Sequence, residues 1–476
     1  MHTYQDLTAL GENEQARIDF VHQIINEHLG SPLYEKAAIG DEYIRGQNRE
    51  AKRYQKMLTT STGKKVVDEW SPNNKAARNI FRRLVWEEVQ YLLGNGIKWL
   101  NDGTKDKIGK DFDNRVRECA RYAKTAGVCF GYFNYDHLEI FPVKSDTGGF
   151  APLYDEENGA LRAGVRFWDK FSVIENKTKR TTRATLYEEN GLTEIMWNDE
   201  HPNGIILKDK TAYITKITSS GIDGDTVYDG ANYPTFPIVP FWGNTLKESE
   251  LFLGIKDLID AYDRISNGYL NDLDNAQIYW LIQNAGGMDN EDIAKVLDQL
   301  RALQAASVED GQITPVTVNI PYAARETLLQ RLESAIYDDY MGLNIKNVVS
   351  GASTATQIRA AYEPVNTKSA DFEECVLDFL YGIMTIAGID DDPTFDATPI
   401  VNVTEETTTL LQAAQYLPAD YVTREILYLR GDGDQAEDIL AQMDKENLQR
   451  MSGIGLENED EKEETENTDE TADNGE

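Results

Sequence analysis

Residues 249–273 read SELFLGIKDLIDAYDRISNGYLNDL, and the spacing of their apolar positions decides the fold. Leu251, Ile255, Leu258, Tyr262, Ile265, Tyr269 and Leu273 recur at steps of 4, 3, 4, 3, 4 and 4, the period of one helix face. Such a narrow seam is what two packed helices share. About two dozen residues at 1.5 Å each predict a rod of about 36 Å. A second rod is predicted over 322–343, through Leu329, Leu332, Ile336 and Tyr340. A mixed insert separates the rods, with Gly286-Gly287, a short helix over 291–303 and a β-like end at 313–320, stopped by Pro321. Residues 344–356 (NIKNVVSGASTAT) then form a loop of small residues with one charge, Lys346. Most apolar helix stripes are simply core. Two long ones that bracket an insert and run into such a loop need a further explanation.

Upstream, 12–130 reads mainly as helix, from the stripes Ile18, Val21, Ile25, Leu29 and Ile80, Leu84, Val85, Val89, Leu92. From 128 to 242 the pattern turns to short β-branched and aromatic runs at 128–135, 137–143, 164–168, 183–187 and 212–217. Asn190-Gly191 and Asp223-Gly224 are hairpin signals, and an antiparallel sheet packed on the preceding helices is expected, closed by Pro234, Pro237 and Pro240. Downstream, a long helix is predicted over 357–387 with a kink at Pro364. A strand-like piece at 399–403 and helices ending near 450 follow. The expected class is α+β, mainly helical.

The 476 residues carry 47 Lys and Arg against 82 Asp and Glu, a net charge of −35. Eleven of those acids and one Lys lie in 457–476, and without that net −10 the body still holds −25. Residues 454–476 are too polar to bury a core and are expected to be disordered. Proteins that grip nucleic acid do so with many Lys and Arg, so sequence-specific binding is excluded, whereas surrounding a duplex without gripping it is not. Cys119, Cys129 and Cys375 make no disulfide framework or CxxC pair. No signal peptide and no run of about 20 apolar residues is apparent, so an intracellular protein, or one assembled from intracellular parts, is expected.

Enzyme signatures fail one by one. At Gly63-Lys64 a phosphate loop would need Gly where Leu58 stands and Ser or Thr where Lys65 stands. Gly431-Asp-Gly433-Asp-Gln-Ala436 matches a dinucleotide turn in form, but sets Asp432 and Asp434 where a pyrophosphate would lie; a helix start capped by Asp434 is the better reading. His2, His22, His28, His137 and His201 form no metal motif, and the acidic turns Asp390-Asp391-Asp392 and Asp223-Gly-Asp225 lack calcium-loop spacing. No catalytic, cofactor-binding or metal-ligating residue is assigned.

In order along the chain, Ile238-Val-Pro-Phe-Trp-Gly-Asn244, Ser249-Glu250, Ile255-Lys-Asp-Leu-Ile-Asp-Ala-Tyr-Asp263 and Asn271-Asp272-Leu273 resemble the run entering the first tunnel helix in the portal proteins, the head–tail connectors of tailed double-stranded-DNA bacteriophages, in the long-tailed siphophage type. Glu42-Tyr43-Ile44-Arg45-Gly46 and Tyr91-Leu92-Leu93-Gly94-Asn95 resemble that family's wing helices. Ser350-Gly351 opens the kinked helix as there, and Asp434-x-x-Glu437 with Lys445-Glu446 resembles its closing helix. Gly243 replaces the family's usual Asn, and Gly96 stands where Pro is common.

The resemblance implies a portal fold in a twelve-subunit cyclic ring at one capsid vertex. Its wing would be 1–248, its stem helices 249–273 and 322–343, its clip 274–321 and its channel loop 344–356. The kinked wing helix and return strand would be 357–404, the crown 405–453, and 454–476 a disordered acidic tail. The stem seam would be Leu251, Ile255, Leu258, Tyr262, Ile265, Leu329, Leu332, Ile336 and Tyr340. The loop residues nearest DNA would be Asn344, Ile345, Lys346, Asn347, Val348, Val349, Ser350, Gly351, Ala352 and Ser353. The implied partners are further copies of the chain, double-stranded DNA passing without sequence specificity, the terminase large subunit, a head–tail adaptor, and the major capsid and scaffold proteins. The implied location is the virion, after synthesis in the host cytoplasm, with no enzyme activity, cofactor or membrane.

A conduit for a polyanion is better acidic than basic, since a basic wall would bind phosphates at every step. Lys346 would then make one weak phosphate contact repeated around the ring, on a loop freed by Gly342, Gly351 and Ser353. Lys256, Arg264, Arg325 and Arg331, and with them Arg359 and Lys368, would pair with acids between subunits. Two rivals make different demands. An acidic metal-dependent enzyme needs an assembled carboxylate site, and a non-ring cytoplasmic adaptor needs a monomer or dimer.

Overall fold

Capping residues set the N-terminal helices. Asn13 accepts the Ala16 N–H at 3.2 Å to start α2 (Glu14–Leu29), after a short α1 (Tyr4–Ala9). Ser31 accepts the Tyr34 N–H at 3.1 Å, and Pro32 opens α3 (Pro32–Ile44), where its missing N–H costs nothing. Then come α4 (Arg49–Arg53), the small hairpin β1 (Met57–Thr59) and β2 (Lys65–Val67), α5 (Ile80–Leu93), α6 (Thr104–Ile108) and α7 (Phe112–Ala126). The computed structural model describes residues 2–59, 63–68, 71–101, 103–174, 177–219, 226–274, 279–283, 289, 291–292, 295–296, 312–316, 322–344, 355–395, 403–431 and 433–448. The chain divides into two compact units, Met1–Ile345 with Glu363–Thr398, and Lys346–Tyr362 with Pro399–Glu476.

In the first unit the predicted stripe of α5 is buried at every position, from Ile80 to Leu92. On α2, Ile18, Val21 and Ile25 are buried but Leu29 is 42% exposed. The β region is richer than its sequence reading. A meander of β5 (Gly148–Tyr154), β6 (Leu161–Ile174), β7 (Lys177–Glu188), β8 (Gly191–Trp197) and β9 (Ile205–Thr211) forms one antiparallel sheet. Its inner face, with Leu153, Val165, Leu186 and Ile195, packs on α2. Asn190-Gly191 does turn β7 into β8, pairing Glu188 with Gly191. Asp223-Gly224 lies outside the described residues, between the paired strands β10 (Ile214–Ser219) and β11 (Thr226–Ala231).

A second sheet runs β12 (Ile238–Trp242), β3 (Val128–Asn134), β4 (His137–Pro142). The proline-rich stretch therefore does not merely close the sheet region. It returns as a strand, with Pro240 opposite Phe130 on an edge where a missing N–H is tolerated. Phe241 of β12 stacks on Phe379, with centroids 4.6 Å apart. Phe379 belongs to the long helix Ala355–Ala387, which contains Pro364. Its residues Phe372, Val376, Phe379, Leu380 and Ile383 are fully buried.

The rods are α8 (Ile255–Asp274) and α9 (Tyr322–Tyr340), joined by an insert in which β13 (Tyr279–Gln283) pairs with β14 (Gln312–Val316). Both rods are shorter than their periodicity predicts. Leu251 lies in a separate 3₁₀ turn, Glu250–Phe252, and Gly254 at φ +116° breaks the chain direction before α8. At the other end Met341 takes φ +60°, and the Gly342 N–H closes the helix on the Tyr337 carbonyl at 2.8 Å. Of the short helix expected over 291–303, only 291–292 and 295–296 are described, and these are helical.

In the second unit, helices Val403–Ala413 and Ala419–Arg430 are followed by a 3₁₀ turn and helix 436–448. Gly431 is the left-handed residue that ends a helix, not a phosphate turn. The strand-like piece expected at 399–403 lies outside the described residues except for Val403, which begins a helix; 454–476 lie outside them entirely.

Gly243 marks a close approach of two backbones. A Cβ there would stand 2.6 Å from the Ala123 carbonyl oxygen and 2.8 Å from its carbon, so the Asn usual in the resembling proteins does not fit this packing. Gly243→Ala is expected to destabilise the chain by about 1–3 kcal/mol. Gly103→Ala, whose Cβ meets nothing within 4 Å, should leave the melting temperature nearly unchanged; equal melting temperatures for the two variants would refute the close approach.

Candidate functional site

The candidate site is the rod pair and the junction that anchors it. On α8 the apolar stripe occupies only the first half, where Ile255, Ile259 and Tyr262 are buried. The buried face then continues as Asp263, Asn267 and Asn271. These three receive the strap 72–79, which carries neither helix nor strand. Asp263 accepts the Arg78 N–H at 3.0 Å, Asn267 the Ala76 N–H at 2.9 Å and Asn271 the Asn74 N–H at 2.7 Å. Two extended residues advance about 6.6 Å and four helical residues about 6.0 Å, so every second strap residue meets every fourth residue of α8. Asn267 also donates to the Ala76 carbonyl at 2.8 Å, and Asn48 to Asp263 at 2.6 Å. A search for apolar periodicity passes over such a stripe. Its signal is the polar i, i+4, i+8 run itself.

At the base of the rods lies a dry cluster of charge. Lys124 of α7 is 0% exposed; its Nζ lies 2.5 Å from Glu88 Oε1 of α5 and 3.2 Å from Glu250 Oε1. Lys368 of the long helix reaches Glu250 Oε2 at 2.7 Å and donates to the Tyr340 carbonyl at 3.0 Å. The Tyr340 hydroxyl, at the end of α9, donates to Glu88 Oε2 at 2.6 Å, and Asn244 donates to Glu250 at 3.0 Å. Ser249 Oγ donates to the Thr125 carbonyl at 2.6 Å. The run from Asn244 to Glu250 thus ties the entry of α8 to the exit of α9. Nearby, Tyr43 donates from its hydroxyl to Asp260 of α8.

Burial alone would raise the Glu250 carboxyl, but Lys124 and Lys368 outweigh it and hold it below the ordinary 4.5. Burial alone would lower Lys124, but Glu88 and Glu250 hold it above 10.5. Burial, then Glu88, push the Tyr340 hydroxyl well above its usual range. Burial raises Asp263, and the strap N–H, Asn48 and the Arg78 charge do not offset it.

The predicted seam divides. Leu251, Ile255, Tyr262, Ile336 and Tyr340 are buried in the largest core, and Leu258, Leu329 and Leu332 pack half-buried against it. Ile265 is half-buried. The far halves of both rods are open: Leu270 is 39% exposed, Leu273 43%, Tyr322 49% and Leu328 44%. There Tyr322 abuts Tyr269 edge-on at 6.0 Å, and Arg325 pairs with Asp272 at 2.5 Å and lies over the Tyr269 ring. Of the predicted channel loop only Asn344 is described; Ile345 to Ser353 lie outside the described residues.

Several cations expected to pair between subunits pair within the chain instead. Lys256 meets Asp260 at 2.7 Å, Arg325 meets Asp272, and Lys368 is drawn into the dry cluster. Arg264 and Arg331 are exposed and make no ion pair among the described residues. The side chain of Arg359 lies outside them. Asp391 accepts from the Leu100 N–H and the Thr104 hydroxyl, and so pins one loop. Among the described residues no three acids, histidines or cysteines gather as metal ligands. His28 is buried, donating from Nε2 to the Val143 carbonyl at 3.0 Å.

A family model described as phage portal protein, SPP1 Gp6-like, matches residues 41–448. A curated relative, the portal protein of Clostridium phage phiCD119, is 24% identical over 322 residues, covering 63% of this chain and 68% of its own length. Two solved assemblies align with 73% of the chain. The neck of an empty gene transfer agent particle does so at 11% identity, over 88% of its own chain, with a TM-score of 0.37. The virion of the native gene transfer agent does so at 13% identity, over 87%, with a TM-score of 0.38.

Removing one member of a dry charge cluster strands the others, so Lys124→Met is expected to cost about 3–5 kcal/mol of unfolding free energy. Because Glu250 titrates below 4.5 in the fold, its pairing stabilises fully above that value and drains away as pH falls through the lower native value. The melting-temperature gap between the parent and Glu250→Gln should therefore be widest near pH 7 and close below pH 4.5; a gap independent of pH would refute the ionic role.

Proposed function

The chain belongs to the SPP1 Gp6-like family of phage portal proteins, and from that premise we propose that twelve copies close a ring at one capsid vertex through which double-stranded DNA enters and later leaves. One observation carries the reading: in a single chain the far halves of both rods expose Leu270, Leu273, Tyr322 and Leu328 to water. Helices that leave large apolar residues open to water mark a surface for another protein copy. A heterologous contact between identical copies closes if its rotation divides a full turn. On this reading the stem is 249–273 with 322–343, the clip 274–321 between them, and the wing 1–248 with the 357–404 return. The crown is 405–453.

The dry junction at Lys124 would fix the angle at which the rods leave the wing. The acidic body would keep the duplex centred, since −25 without the tail repels phosphate from every side. The loop Asn344–Ser353 would face DNA, with Lys346 its one cation. The clip would receive the terminase motor during filling and a head–tail adaptor afterwards, and the wing the capsid and scaffold proteins. The chain's own role is mechanical rather than enzymatic.

Twelve copies of a 53.7 kDa chain predict a particle of about 640 kDa, read by native mass measurement and by negative-stain imaging of a ring with an axial hole. Leu273→Glu with Leu328→Glu changes side chains already in water, so the fold should lose no more than about 0.5 kcal/mol per site, while the ring falls to monomers. A parent chain that is monomeric, or a double variant that still forms rings, would overturn the reading.

Lys346→Glu is expected to slow DNA packaging severalfold with rings intact, and Lys346→Ala to act in the same direction more weakly. Unchanged packaging with both variants would remove the loop contact and leave the ring untouched.

A further inference from the structure

In an acidic molecule one cavity is lined by cations. It encloses about 450 Å³ between α3, α7 and the end of β4. Arg45 and Lys144 at its edge are both held by Asp41, at 2.8 and 3.2 Å. Glu118 in the wall is taken by Arg115 at 3.1 Å. Arg117 and Arg121, four residues apart on one face of α7, have no carboxylate partner among the described residues. Arg117 donates only to Asn114 Oδ1 at 2.7 Å and, weakly, to the Asp113 carbonyl at 3.4 Å. Arg121 lies with its Cζ 4.7 Å from the ring centre of Trp86, whose ring Arg82 also approaches at 5.1 Å. Its Nε is shielded from water and has no acceptor. Burial first, then Arg117, lower the affinity of Arg121 for its proton. These are the marks of a donor set prepared for an anion.

We propose that this cavity binds a carboxylate side chain carried on an extended acidic peptide of another protein. Two guanidiniums one helical turn apart offer paired N–H donors that match a planar carboxylate. The other walls, Ile44, Ala126, Pro142 and Val143, suit an apolar neighbour of that acid. Nucleic acid is the poorer fit. A duplex is far too wide for a 450 Å³ recess, and two unpaired cations against a body of −25 give little counterion release. The site stands on unit-1 geometry alone and does not depend on ring formation.

The test uses the full chain and a fluorescein-labelled peptide with Glu-Leu-Glu in a Gly-Ser frame, read by fluorescence anisotropy in low salt. Saturable binding is expected, weakened at least tenfold by Gln-Leu-Gln in the peptide and at least tenfold by Arg121→Gln. Arg117→Gln should weaken it at least threefold. Thermal melts of both variants show whether either has lost its fold. Inorganic phosphate at millimolar concentration should not displace the peptide. Equal binding of the two peptides, indifference to both folded variants, or displacement by phosphate would each overturn the assignment.

Discussion

Lys124 has none of its surface in water, and the cost of that position organises its surroundings. A lone buried ammonium would lose its proton or leave the core. Here it keeps the proton because Glu88 and Glu250 lie on it, and Lys368 offsets the second negative charge they bring. Each carboxylate oxygen that the lysines do not fully occupy is met by Tyr340 or Asn244. The members come from α5, α7, the turn before α8, the end of α9 and the long helix. No hydrophobic set of the same volume would specify so narrowly which residue of each segment must face the others. A buried ionic cluster adds little net stability, and its contribution here is register.

That register matters because the rods have few other constraints. Beyond the junction, α8 is held by the strap through hydrogen bonds spaced by the match between an extended and a helical repeat. Among the described residues α9 has no such strap. From Tyr322 to Leu332 it meets its own chain through Tyr269, Asp272 and the half-buried Leu329 and Leu332, with most of its residues exposed. A helix so placed gains little from its own chain. On the proposed ring reading the missing contact would come from the neighbouring copy, and the anchored end would then set the tilt each copy presents to the next.

The acid excess and the cationic recess answer different needs. Charge spread over the body repels a passing polyanion without holding it at any point. Charge confined to a concave recess, whose acids Asp41 and Glu118 already pair with Arg45, Lys144 and Arg115, would hold one carboxylate and still leave that repulsion in place.

The chain order of helices, sheet and rods was legible because apolar residues repeat at 3.6 or at 2, and because Gly and Pro punctuate those runs. The family was legible from Pro240 to Asp272, where residues that act together happen to be neighbours. Periodicity reports only apolar faces, however. It took Leu251 into a helix that Gly254 interrupts, and it missed β12, which pairs with a strand more than a hundred residues earlier. It also passed over the polar stripe Asp263, Asn267, Asn271, and Lys368 was expected to pair with acids of another subunit. Whether a charged residue is solvated or buried depends on what the rest of the chain brings to it, and no local pattern carries that information. The sequence by itself determined which segments are helix and which faces are greasy. Only the tertiary structure decided where Lys124 and Glu250 meet, because a buried charge is permitted only by partners that arrive from distant parts of the chain.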